Sequence, residues 1–83
     1  IPTDRVFKVK TIHIYNYDTT SKAVVTLYDG VTTGNVRFVT NADVESPRHH
    51  SNIRGLVFYS GVLAVSTISG TFIFVGGELV ASP

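Results

Sequence analysis

The most apolar part of the chain is Gly55–Gly77, GLVFYSGVLAVSTISGTFIFVGG, which carries no charged residue. Its apolar residues are mostly β-branched or aromatic, and Gly61 and Gly70 divide it. That pattern predicts three short strands, Leu56–Tyr59, Val62–Thr67 and Thr71–Val75, turning at Ser60-Gly61 and Ser69-Gly70. Leu56, Phe58, Leu63, Val65, Phe72 and Phe74 are the expected core positions. The stretch is also long enough for a membrane-spanning helix. Against that stand the Gly, Ser and Thr interruptions, the strand-favouring residue types, and flanks without Trp anchors or a Lys/Arg asymmetry.

Upstream, Phe7–Tyr15 reads as a strand whose alternation changes phase. Phe7 and Val9 share one face, whereas Ile12 and Ile14 share the other. A half-buried strand keeps one parity. The change therefore predicts a bulge or sheet change near Lys10-Thr11, or an N-terminal part packed on a neighbour while Ile12 and Ile14 enter the core. Ile1–Arg5, with Pro2 and Asp4, reads as an arm. Ala23–Asp29 is a second strand with Val25 and Leu27 inward and Val24, Thr26 and Tyr28 outward. Val36–Thr40 is a third, with Val36 and Phe38 inward and Arg37 and Val39 outward. Asn41–Asn52, NADVESPRHHSN, is the long polar connection, with a short edge strand expected at Ala42–Glu45. Glu78–Val80 extends the last strand. No window combines helical apolar spacing with caps. The expectation is an all-β fold: a small antiparallel sandwich, jelly-roll-like, with about six to eight short strands. Its single domain spans 11–83, and 1–10 form an N-terminal arm and first-strand extension.

Composition adds a reason for association. The chain has 83 residues, no cysteine and only 16% charged residues, and its mean hydropathy is positive. A domain this small buries about 60% of its unfolded surface, and disulfides cannot reinforce it. A thin sandwich cannot hide so much apolar side chain, so its outer faces are expected to carry apolar patches that a partner covers. The formal charge of +1 makes no electrostatic case for nucleic acid or an anionic membrane as partner. The polar start IPTDRVFKVK does not read as a secretory leader. With no Met in the chain, Ile1 is not expected to be the translational start.

Candidate chemistry is sparse. His49 and His50 lie beside Arg48, Asp43 and Glu45, but neighbours in an extended segment point to opposite sides. They read as loop histidines, and His13 as a surface or interface residue. Asp18 and Asp29 read as turn residues whose side chains bond nearby amides. Gly30, Gly34, Gly76 and Gly77 fit no phosphate-cradling pattern and read as turn punctuation. No G-x-S-x-G elbow surrounds the hydroxyl residues, and the three histidines lack zinc-ligand spacing. Tyr15, Tyr17, Tyr28 and Tyr59 could anchor an interface or, second, stack on sugars. No catalytic residue, metal or cofactor is assigned, and an enzyme is not expected. A hydrolase would require Asp18, Asp29, His13 or His49 to meet in one pocket.

The order of elements resembles a family of small all-β proteins encoded among the structural genes of tailed bacteriophages. The resemblance rests on Ile12, Ile14 and Asn16; on Thr26, Leu27, Tyr28, Asp29 and Gly30 of a TLYDG strand and turn; on Gly55, Leu56, Phe58, Gly61, Leu63 and Val65; and on Gly70, Thr71, Ile73 and Val75. The polar connection Asn41–Asn52 and the segment Arg5–Lys10 depart from the family pattern. The resemblance implies a non-enzymatic virion component. The expectation is a capsid decoration (cement) protein on the capsid surface, binding the major capsid protein or other virion proteins as a homo-oligomer, a trimer first. A tail or fibre component, or a glycan-binding adhesion module, is the alternative. The expected partner and subunit contacts are Phe7, Val9, Tyr15, Val24, Tyr28, Val57, Tyr59, Arg48, His49 and His50.

Overall fold

A computed structural model describes residues 1–51 and 53–82. Asn52, at the end of the long polar connection, and Pro83 lie outside the described residues. Seven strands form: β1 (Arg5–Asn16), β2 (Ala23–Asp29), β3 (Val36–Ala42), β4 (Pro47–His50), β5 (Val57–Phe58), β6 (Val62–Ser66) and β7 (Thr71–Ala81). They make two antiparallel sheets. In the first, β1 is flanked along one edge by β7, and along the other by β4 and then β5. In the second, β2 lies between β3 and β6. This is the small antiparallel β-sandwich expected from the sequence. A 12-residue strand spans about 40 Å, and β1 sets the long dimension of a slab measuring 43 × 26 × 14 Å.

The phase change in β1 is a bulge. Its register against β7 shifts between Val9 and Thr11. One extra residue lets both halves of the strand face inward, so Val9, Ile12 and Ile14 all enter the core. Val25 and Leu27 of β2 meet them there, with Ala42, Leu56 and Phe58. The bulge also explains Gly76 and Gly77, which are not turn residues but lie inside β7, opposite Thr11 and Val9. A Cβ on Gly77 would run into the Lys8 carbonyl oxygen. Glycine is what allows the two backbones to approach there.

Several boundaries and faces differ from expectation. The expected first strand Phe7–Tyr15 begins two residues earlier, at Arg5, and its extension Arg5–Lys10 pairs with β5 and β7. Only Ile1–Asp4 precede the sheet. The polar connection folds back as β4 at Pro47–His50; of the expected edge strand Ala42–Glu45, Ala42 ends β3 and Val44-Glu45 form a turn. Glu45 has φ 49° at that turn. In β7 the parity is reversed. Ile73 and Val75 pack on the core, whereas Phe72 and Phe74 are 53% and 51% exposed. In β6, Val65 is exposed and Leu63 half-buried, because their partners Thr26 and Tyr28 point outward from β2. Val36 is exposed too, leaving Phe38, Thr40 and Ala42 as the inward residues of β3. Both parities of β6 and β7 are apolar, so hydrophobicity alone does not select a face. The register with β1 and β2 does.

Candidate interaction surface

On the outer face of the first sheet, register builds two aromatic rows. His13 on β1 lies opposite His49 on β4 and Phe74 on β7. Tyr15 lies opposite Pro47 and Phe72. The His13 and His49 rings meet at 4.5 Å between centroids, at 89°. His13 and Phe74 are 5.9 Å apart and also edge-on. Tyr17 extends the stripe, its ring 4.5 Å from Tyr15. Edge-to-face contacts hold the rings in place, yet about half of each Phe stays in water. Covering both would contribute roughly 2–3 kcal/mol.

The second sheet presents an aliphatic outer face. Val39 and Val65 flank Thr26, and Val36 and Leu63 flank Tyr28. Val24 follows along β2, exposed. The surplus apolar surface inferred from composition is thus divided between two faces on opposite sides of the slab, one aromatic and one aliphatic.

The polar groups beneath these faces hold structure together. Asp29 ends β2 with its side chain only 4% exposed. Its carboxylate accepts hydrogen bonds from the backbone N–H groups of Ser60 (2.8 Å), Tyr59 (3.0 Å) and Gly61 (3.4 Å). Arg37 Nη2 lies 3.5 Å away, and its guanidinium carbon is 5.7 Å from the centre of the Tyr59 ring. Burial alone would raise the Asp29 pKa. The three amides and Arg37 outweigh it and hold the carboxyl below its ordinary value. Asp29 therefore clamps the β5–β6 turn some thirty residues away, not its own turn. Asp18 does serve its own turn: Oδ1 accepts from the Thr20 and Ser21 amides and the Thr20 hydroxyl, which lowers its pKa.

Asn16, fully buried, does at the other end what Asp29 does here. Its Nδ2 donates to the carbonyls of Ser21, Asp43 and Ala42, and its Oδ1 accepts from the Asp18 amide. His50 points inward from β4. It hydrogen-bonds the Thr40 hydroxyl at 2.8 Å and meets Phe38 edge-on, joining the two sheets. Desolvation, and then the charge of Arg48, lowers its pKa.

The residues expected at interfaces are therefore distributed. Tyr15 and His49 belong to the aromatic face, Val24 and Tyr28 to the aliphatic one. Tyr59 is exposed beside Arg37, and Val57 is half-buried. Arg48 is exposed, reaching toward Asn41. Val9 is 0% exposed and so presents nothing to a partner, whereas Phe7 is half-buried against the core. Phe72, Phe74, Val65 and Val36 were missed as surface residues, whereas Val39 was expected outward and is exposed. The alternation of His13 and Tyr15, once paired with β7, is the signal that places the two Phe outside. His13 and His49 do meet, but the carboxylates of Asp18 and Asp29 are engaged by backbone amides elsewhere. Among the described residues, no group of three or more His, Cys, Asp and Glu could hold a metal ion. Comparison with protein-family models, with characterised proteins and with solved structures finds no match for this chain.

Proposed function

We propose that this chain is a non-enzymatic structural protein of a virion, a decoration protein that binds the major capsid lattice on the capsid surface as a homo-oligomer. The observation that carries the reading is the pair of outward apolar faces on a slab 14 Å thick. The sequence resemblance to small phage structural proteins supplies the setting. A two-faced slab suits a lattice: one face packs on its own copies and the other on the shell, so one module bridges neighbouring subunits. Apolar burial contributes about 25 cal/mol per Å². A standard-size contact of about 1,600 Å² must still offset roughly 4–15 kcal/mol lost in fixing two bodies together, so its net strength rests on how well the apolar faces fit and not on area alone. On a symmetric particle each weak contact repeats many times.

The aromatic stripe also favours a second reading, a glycan-binding module of a tail or fibre. Rings standing side by side on a sheet, His13 and Phe74 next to Tyr15 and Phe72, offer a platform on which sugars can stack.

Light scattering over a dilution series, followed by co-sedimentation with undecorated capsid shells, separates these readings. A persistent oligomer that pellets with shells is the expected result. A monomer at micromolar concentration that ignores shells but is retained on a polysaccharide column would replace the decoration reading with the glycan one.

A further inference from the structure

The irregularities of the first sheet converge on one place. β4 accompanies β1 over Ile12–Tyr15, and β5 accompanies it over Phe7–Lys8. Between them the strand pairing along this edge is interrupted, at the residues of the bulge. Backbone bonds from Ile53 N–H to the Lys10 carbonyl (3.3 Å) and from Val9 N–H to the Leu56 carbonyl (3.0 Å) hold the connection in place. Gly55, at φ 79°, turns it. The result is an open hollow of about 760 Å³.

Three cations line this hollow: Lys8 and Lys10 from β1, and Arg54 from the connection opposite. They are three of the seven Lys and Arg in a chain whose formal charge is only +1. The hydroxyls of Thr11 and Ser51 stand beside them, Ile53 contributes apolar wall, and among the described residues no acidic one lines it. Glu78 meets Lys10 at 3.2 Å, with both side chains more than half exposed. Such a pair is worth about 0–1 kcal/mol, so an incoming carboxylate can share Lys10. Bulges re-aim side chains and cluster beside functional sites. Here Lys8 and Lys10, on either side of Val9 next to the bulge, both stand at the rim of one hollow.

We propose that this hollow is an anion-binding site whose occupant is an acidic peptide segment of a partner protein, presenting two or more closely spaced carboxylates. Three cations around one concavity suit discrete carboxylates, with Arg54 able to grip one through two parallel N–H bonds. Nucleic acid fits less well, because its affinity grows with a track of phosphate contacts and the near-neutral chain offers no such excess of charge. The hollow is far larger than a single inorganic anion, and Ile53 gives the peptide's methylene groups something to cover. The site stands apart from the virion reading, and its test needs no capsid.

The experiment is a titration of the purified chain with a hexaglutamate peptide, followed by backbone amide shifts. Saturable shifts confined to Lys8, Thr11, Ser51, Arg54 and Gly55 are expected. Affinity should weaken about tenfold or more as salt rises from about 50 to about 300 mM. Binding should vanish in K8E/R54E and weaken in K8Q/R54Q, both at exposed positions. Lys22→Glu, which removes a cation paired with Asp43 elsewhere, should leave it intact. Absence of saturable shifts, or shifts that persist in K8E/R54E, would overturn the proposal. So would inorganic phosphate or a DNA duplex binding as tightly as the peptide.

Discussion

The Asp29 clamp and the His13–His49–Phe74 row are both assembled by long-range pairing, yet they differ in every energetic respect. Asp29 is enclosed, charged and bonded by three amides and an arginine. The aromatic row lies on the open side of a sheet and is held only by ring contacts. A buried charge that loses its partners leaves donors unsatisfied in a low dielectric, which is costly. A half-exposed ring that is trimmed loses little, because water already touches it. The comparison assigns stability to the clamps and recognition to the faces, and substitution can separate the two.

The largest expected effect is at the clamp. Asp29→Ala strands three amides, while Arg37, 41% exposed, can turn to water; it should remove about 2–3 kcal/mol by denaturant titration. For a small domain that is a large share of total stability. A loss below about 1 kcal/mol would mean the clamp is ornamental. Next comes the bulge. Gly77→Ala drives a methyl group into the Lys8 carbonyl and should cost about 1–3 kcal/mol. Gly34→Ala, whose Cβ would meet only the Thr32 hydroxyl at 3.7 Å, should stay within about 0.5 kcal/mol.

A pH series sharpens the contrast inside the polar groups. His50 has a folded pKa below its ordinary 6.5, so the unfolded chain binds the proton more readily. Stability is therefore full above 6.5 and falls as pH drops through that value. The depressed carboxyl of Asp29 acts lower, its contribution present above the ordinary 3.8 and lost as pH falls through the folded value. Thermal melts should show two successive losses on acidification, and His50→Gln should remove the upper one. A single loss near pH 4 in both proteins would contradict the role given to His50.

The smallest effect on stability is expected on the aromatic face, where it should be accompanied by a clear effect on association. F72S and F74S, made singly, should each cost about 1 kcal/mol, the value of half a buried ring, while lowering the oligomer mass or shell binding. V39S on the opposite face offers the companion measurement. If one face packs copies and the other packs shell, each variant should lose only one of the two activities.

Much of the fold was legible in order along the chain. Val25 and Leu27, Ile12 and Ile14, and Leu56 and Phe58 alternate with or border polar residues, so their burial follows from period. The bulge was legible because Phe7, Val9, Ile12 and Ile14 cannot share a face without an extra residue. The candidate surface was far less legible. Phe72–Val75 is apolar at every position, and so is Val62–Val65, which leaves no polar partner to mark the wet side. The β4 strand was obscured by its composition, since Pro47-Arg48-His49-His50 is polar and edge-like. The cationic hollow joins Lys8 and Lys10 to Arg54 across more than forty positions, which no local pattern reports.

The sequence by itself determined that this is a disulfide-free all-β domain with more apolar surface than its core can hold, because composition and period-two alternation act locally. Tertiary structure alone decided which rings face water, which amides Asp29 binds, and where three cations meet. Those outcomes depend on strand register, and a shift of one residue would exchange the two faces of β7 without changing any residue.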